Sequence, residues 1–335
     1  MKILLVADGK YPEYVNGVSI YIRYLAEEMV KNGQDVYIFH HIKSGFFKRP
    51  KIIALKDSKI MYYGLDNSPI SFAEGLIHPQ RNCYEKRTEK IFSNLIEQIN
   101  PDIVHFHEFH RTPSHCIDIC RKQNIPTLVT LHDYWFICPR LQLFTLDEDI
   151  CEGTNEGENC VANCLARDPL TRQYRKMITI LPNGYVFKVI KKLRNIYKKI
   201  QGVHLGQASS HNIKIKKSLD LKNKRLINSF RLREIENKNS LSKADFIFAV
   251  SNSVEEIFKK HGINHSKIVV NQLGVKSVDW LEKKIRHFTD YPIRFGFLGH
   301  LGPLKGAQLI LEAAKKISSQ KAEFLFFGGG SDETP

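Results

Sequence analysis

No run of about 18 apolar residues occurs in this 335-residue chain, which excludes an ordinary membrane-spanning helix. The first apolar stretch, KILLVA, is too short for a secretory leader and is followed at once by Asp8 and Lys10, so the cytoplasm is the expected location. Low-complexity tracts are absent. None of the seven cysteines stands in a C-x2-C pair, the tightest of the zinc signatures. The net charge is +15, yet most of the chain has no excess of either sign. Segment 165–240 holds nineteen Lys and Arg against four Asp and Glu, leaving thirty-one of each sign elsewhere. That basic segment lacks a recognised nucleic-acid-binding motif and interleaved stacking aromatics, so no nucleic-acid partner is expected.

What is present is a repeated alternation of short apolar strands with amphipathic helices. Lys2–Ala7 reads as a buried strand and Asp8–Gly17 as a loop; Val18–Asn32 reads as a helix with Ile22, Leu25 and Met29 on one face. Gly33 stops the helix and Asp35–His40 is the next strand. Further on, 85–99 reads as a helix ended by Pro101, and Asp102–Phe106 as a strand that delivers His105, Glu108 and His110 into a loop. Pro126–Leu131 is a strand with His132 and Asp133 directly after it. Ala244–Val250, a helix capped by Ser251, and Lys267–Asn271 continue the pattern. The construction then starts again: Ile293–Leu298 breaks at Gly299, and a loop containing Gly302, Pro303 and Lys305 leads into a helix from about Gly306. A strand running through a glycine loop into a helix N-terminus makes an anion site, because free N–H groups and the positive dipole end point at one spot. Two such starts imply two doubly wound α/β domains, with a cleft between them as the natural site. The boundaries are expected at 1–274 for the first domain, 275–291 for a linker and 292–335 for an incomplete second domain.

Two features lie outside this alternation. Within 165–240, Val186, Val189, Ile190, Leu193, Ile196, Tyr197 and Ile200 line one helical face and lysines fill the rest. Such a helix suits an anionic membrane surface; the alternative is a solvated basic face over a core-facing stripe. Cys138, Cys151, Cys160 and Cys164 span a polar, glycine-containing loop, 138–164, where four thiolates would make a tetrahedral structural zinc site. Disulfides are disfavoured in a reducing cytoplasm.

Taken as a set, the segments NGVSIYIRYLAEEMVKNGQDV, PDIVHFHEFH, TLHDYWFICPR, ADFIFAVSNSVEEIF, VVNQLGV and FLGHLGPLKGAQLILEAAKK resemble the retaining glycosyltransferase family 4 of GT-B fold, in family order along the chain. The resemblance implies an N-terminal Rossmann-like acceptor domain, the first part of a second Rossmann-like domain, and transfer of a sugar from a nucleotide-diphosphate donor without a catalytic metal. It implies donor contacts at Gly17, Gly299, His300 and Lys305, with His300 standing where the family has an arginine. His132 matches the family histidine at the reaction centre, and Asn16, His107 and Asp133 fall on the acceptor side. The acceptor expected is a saccharide or a polyprenyl-linked sugar of cell-surface polysaccharide synthesis, at the inner face of the plasma membrane.

The glutamate pair with which the family holds donor ribose and sugar has no counterpart up to Pro335. The chain is therefore expected to be a truncated or split enzyme, lacking donor affinity without a companion chain that completes the second domain. The alternative is a non-catalytic remnant that binds a glycan or lipid, or scaffolds another transferase. A zinc-stabilised nucleic-acid binder is a third reading, resting only on the basic segment and the cysteines.

Overall fold

A computed structural model describes residues 1–44, 49–71, 74–145, 149–165, 221–263, 266, 268–274, 292–319 and 321–329. The chain divides into two units, Met1–Lys276 and Ser277–Pro335. The first is built on an eight-stranded sheet of order β3-β4-β2-β1-β5-β6-β7-β8. Its strands are β1 (Lys2–Val6), β2 (Asp35–His41), β3 (Lys51–Asp57), β4 (Ile60–Asp66), β5 (Ile103–Phe106), β6 (Thr127–Leu131), β7 (Phe246–Ala249) and β8 (Ile268–Val270). All pairings are parallel except β3 with β4.

The central strand shows why both sheet faces are covered. Side chains alternate along a strand, so β1 sends Leu4 and Val6 into one core with Phe39, Phe92 and Phe106, and Ile3 and Leu5 into another with Ile22, Ala26 and Ile38. A parallel strand buried on both faces reads as a continuous apolar run, which is what KILLV is.

The helices are α1 (Gly17–Lys31), the single turn α2 (Glu74–Ile77), α3 (Lys86–Ile99), α4 (His115–Lys122), α5 (Leu221–Ser242) and α6 (Asn252–Lys260). Their ends follow local chemistry. Asn16 and Ser19 form a reciprocal capping box on α1. The Glu85 carboxylate accepts from Thr88 N at 2.8 Å at the start of α3, and Asn100 closes that helix at φ 50°. Ser251 caps α6, accepting from Val254 N. The buried stripe of α1 is Ser19, Ile22 and Ala26, shifted from the expected face, and Leu25 and Met29 are only half-buried.

Of the basic segment, residue 165 and residues 221–240 are described; there α5 buries Phe230, Arg233 and Asn237, and Leu241 just beyond is buried too. The lysine-flanked stripe at 186–200 and the linker at 275–291 lie outside the described residues. Among the described residues no helix is long and apolar enough to cross a membrane.

The second unit is a βαβ turn. β9 (Ile293–Leu298) pairs in parallel with β10 (Ala322–Phe327), and α7 (Ala307–Ala314) connects them. Phe295 stacks on Phe324 with ring centroids 5.2 Å apart.

Candidate functional site

From β1 the chain crosses to β2 on one flank of the sheet, while β5 lies on the other, so the carboxyl ends of β1 and β5 border the topological switch point. Open α/β sheets bind their ligands in that crevice. Four segments meet there: Asp8 just past β1, Asn16 and Gly17 at the head of α1, His107–Arg111 past β5, and His132 and Asp133 past β6.

The first group at this edge is a set of uncharged imidazoles. His107 Nδ1 lies 3.1 Å from His132 Nε2, and Tyr21 packs edge-on against both rings at 5.9 and 5.7 Å. A hydrogen bond between two imidazoles needs one N–H and one lone pair, so at least one ring at the pair is neutral. Burial, reinforced by neighbouring His105 and His132, holds His107 well below the usual histidine range. Burial also lowers His132 to about 4, with Asp133 opposing only in part. His132 Nδ1 is left buried with no protein hydrogen-bond partner. His105 does not enter the loop as expected. It stays inside β5 with Nε2 2.7 Å from Thr130 Oγ1, and its ring lies 3.8 Å from that of His107.

The second group is a closed circuit of charge. His110 Nε2 lies 2.8 Å from Asp133 Oδ2, and its Nδ1 lies 3.4 Å from Asp8 Oδ2. Arg111 donates from its backbone N–H to Asp8 Oδ1 at 3.2 Å and from its guanidinium to the Asp8 carbonyl. Burial would raise the Asp8 carboxyl, but Arg111, His110 and His41 outweigh it and hold Asp8 well below the ordinary carboxylate value. Burial would likewise lower His110, but its bonds to Asp133 and Asp8 keep it well above the usual value and charged. Glu108 bridges the groups: it accepts from Asp8 N at 2.8 Å and from Asn16 Nδ2 at 3.3 Å. Burial and the adjacent Asp8 carboxylate push its carboxyl up to about 7.

These contacts assign work to residues expected on the acceptor side. Asn16 spends its amide on Glu108 and its carbonyl oxygen on Ser19 N, tying the head of α1 to the β5 loop. Asp133 spends one oxygen on His110 and the other on Trp135 N. A Cβ on Gly17 would meet nothing within 4 Å, so the space beside this helix start is open. Asp8, Tyr21 and Arg111 were not singled out from the sequence. The signal was the cluster of polar residues directly after the apolar strands, Asp8 after KILLVA and HEFHR after DIVHF.

In the second unit, Gly299, His300 and Lys305 fall in the loop between β9 and α7. His300 Nδ1 accepts from Gly302 N at 3.0 Å, so this histidine is used in shaping the loop. Lys305 is exposed in the turn Pro303–Lys305, and Gly306, at φ 73°, begins α7. The four loop cysteines are all thiols. Among the described residues no group of three or more His, Cys, Asp and Glu side chains is placed to hold a metal ion.

The buried histidines set the pH response. His40 and His132 are lowered to about 4, and His41 and His105 to about 3, chiefly by burial, against 6.5 for an ordinary histidine. Below 6.5 the unfolded chain binds protons that the folded chain refuses, so stability is full above that pH and is lost as pH falls toward these lowered values. Glu108, with its raised value, opposes as a single group, and His110 is protonated in both states there. The urea midpoint is expected to fall steadily from pH 6.5 to pH 4.5. A flat profile over that window would contradict the buried neutral assignment.

Comparison with known proteins gives these groups a setting. Residues 15–147 match the model of Glycosyltransferase Family 4. A protein described as an uncharacterized 42.6 kDa protein in the cps region of Klebsiella pneumoniae is 26% identical over 149 residues, covering 43% of this chain and 40% of that protein. Among solved structures, sucrose-phosphate synthase from Thermosynechococcus elongatus aligns at a TM-score of 0.49 with 13% identity, over 100% of this chain and 64% of that one. An Escherichia coli structure titled as trehalose-6-phosphate bound with UDP-2-fluoro glucose aligns at 0.47 with 10% identity, over 99% of this chain and 65% of that one. The chain thus spans 40% of the Klebsiella relative and about two thirds of these structures. Residues 15–147, which lie in the first unit with its largely parallel α/β sheet, are thus similar to Glycosyltransferase Family 4.

Proposed function

We propose that the protein takes part in transfer of a sugar from a nucleotide-diphosphate donor to a saccharide or lipid-linked acceptor, in the synthesis of a cell-surface polysaccharide. The observation that carries the reading is the paired, neutral His107 and His132 at the switch point. In the charge circuit beside them, Asp8 and Asp133 answer His110 and Arg111, and the Glu108 carboxyl is held close to neutrality. Such a floor offers hydrogen bonds to uncharged hydroxyl groups and little attraction for phosphate, which suits a sugar ring. The charge of a diphosphate then has to be met elsewhere. Lys305 and the N–H groups at the start of α7 have the chemistry for it. The cps-region setting of the Klebsiella relative supports the polysaccharide context.

His132 is assigned a hydrogen bond to the reacting sugar or acceptor. The test is turnover of UDP-, ADP- and GDP-sugars by the full chain with saccharide and polyprenyl-phosphate acceptors, product and nucleotide release both being followed. His132→Ala is expected to lower kcat about 100-fold or more, the usual loss when a positioned hydrogen-bonding group at the transition state is removed. Glycan binding without nucleotide-sugar turnover would overturn the catalytic reading in favour of a recognition subunit.

A further inference from the structure

The two histidines at the switch point form the upper of two rungs between adjacent parallel strands, β5 and β6. Residues two apart on a strand share a face, so His107 continues the side of β5 that carries His105, and His132 the side of β6 that carries Thr130. The lower rung is His105 Nε2 with Thr130 Oγ1 at 2.7 Å, and the upper is His107 Nδ1 with His132 Nε2 at 3.1 Å. The His107 backbone N–H donates to the Val6 carbonyl at 3.0 Å, which fastens the upper rung to the central strand. The His105 ring lies 3.8 Å from that of His107, and Tyr21 packs edge-on against both members of the pair. The bond uses one nitrogen from each ring. The other two, His107 Nε2 and His132 Nδ1, are buried with no hydrogen-bond partner among the described residues.

Counting protons links the two rings. A pair of neutral imidazoles carries two N–H protons on four nitrogens, and one of those protons lies in the bond between them. The tautomer of one ring therefore fixes that of the other. If His132 Nε2 were the donor, the second N–H would sit on His107 Nε2. If His107 Nδ1 is the donor, the second N–H sits on His132 Nδ1. A buried N–H with no acceptor is rarer in folded proteins than an unused lone pair, so the proton belongs at the end that can still find an acceptor. His107 is 3% exposed and has the His105 ring against it, whereas His132 is half-buried and is the end nearer the surface.

We propose that His107 is a positioning residue that holds His132 in its Nδ1–H tautomer and so makes His132 a hydrogen-bond donor toward a ligand oxygen. This rests on the reading that His132 meets the reacting sugar or the acceptor. The Nε2 lone pair of His132 is spent on His107, and its Nδ1 carries the proton. No lone pair of His132 is then free. The ring orients a hydroxyl, ring or glycosidic oxygen and takes no proton from it. A ligand must present an oxygen acceptor at this point, and a group that can only donate, such as an ammonium, leaves the N–H unpaired and is disfavoured.

The test is the 15N NMR spectrum of the full chain labelled in its histidine rings, recorded near neutral pH without ligand. A 15N–15N coupling across the hydrogen bond is expected between a protonated Nδ1 of one ring and a bare Nε2 of the other, whose own Nδ1 is protonated. Donor and acceptor types alone tell the two arrangements apart, since the reverse bond would run from an Nε2 to an Nδ1. His107→Asn keeps an N–H donor near the place of Nδ1 and should keep His132 on Nδ1–H. His107→Leu removes the donor and should shift His132 to a mixture of both tautomers. Leucine is the milder change for a buried site, so packing loss alone predicts the opposite order. The wild-type spectrum decides even where a variant fails to fold. A coupled pair whose donor is an Nε2, no coupling at all, or the same His132 tautomer in His107→Asn and His107→Leu would overturn the proposal. None of these readouts needs turnover, so a chain that shows the coupling but transfers no sugar counts against the functional reading and not against the tautomer.

Discussion

Replacing Asp8 by alanine is expected to destabilise the folded chain by about 3–5 kcal/mol, the range seen when one partner of a buried ionic group is removed. Asp8 is 1% exposed and faces Arg111, itself 8% exposed, and charged His110. With the carboxylate gone, Arg111 keeps the Asp8 carbonyl as an acceptor but has lost its charge partner, and His110 loses one of the two carboxylates that hold it, keeping Asp133. The proton on His110 should then be lost at lower pH than in the wild type. Urea denaturation gives the first quantity, and the pH dependence of the midpoint gives the second. Asp8→Asn, which preserves volume and one acceptor oxygen, should recover part of the packing but not the charge. A midpoint for Asp8→Ala equal to the wild-type value would show that the circuit contributes nothing.

The second large effect is expected at Gly157. Its backbone has φ 93°, and a Cβ built there would meet the Ile227 carbonyl oxygen at 2.2 Å and the Phe230 Cβ at 3.0 Å. The first obstacle is backbone, which has no side-chain rotation with which to yield. Gly157→Ala combines the cost of overpacking, about 1–3 kcal/mol, with about 1–3 kcal/mol for left-handed backbone in a residue that carries a Cβ, so about 2–6 kcal/mol in all. The measurement is again the urea midpoint, and proteolysis should report the same change as earlier cleavage within 149–165. Gly262→Ala is a useful contrast. That residue also has positive φ but open space around its Cβ, so only the backbone part should appear.

Much of the first unit was legible because its strands are buried on both faces and its helices are capped by side chains that announce themselves. KILLV, the α3 stripe ended by Asn100 and Pro101, and Ser251 before α6 each state their own boundary. β3 and β4 were not legible as a pair. LKDSKI joins them through Ser58 at φ 57°, and serine is not a residue that signals left-handed backbone. The buried face of α5 was not legible for a related reason. Its sequence is rich in lysine and arginine, and only packing reveals that one arginine points inward.

The candidate site was half legible. His132 and Asp133 stand where a strand ends, and position alone marks them. That His107 would be the partner of His132, 25 residues on, or that Asn16 would be consumed in holding α1 to Glu108, 92 residues on, depends on side-chain geometry between separate segments. Periodicity within a segment carries no such information.

The eight-stranded sheet finishes differently at its two rims, and this bears on self-association. On one side the antiparallel β3 carries Lys51 and Lys56 along an exposed border; on the other β8 is only three residues long. A lysine-bearing border and a very short one are both poor templates for adding a further strand. Copies of the first unit are therefore not expected to grow into edge-to-edge ribbons, even though Ile53 and Leu55 face solvent on that border.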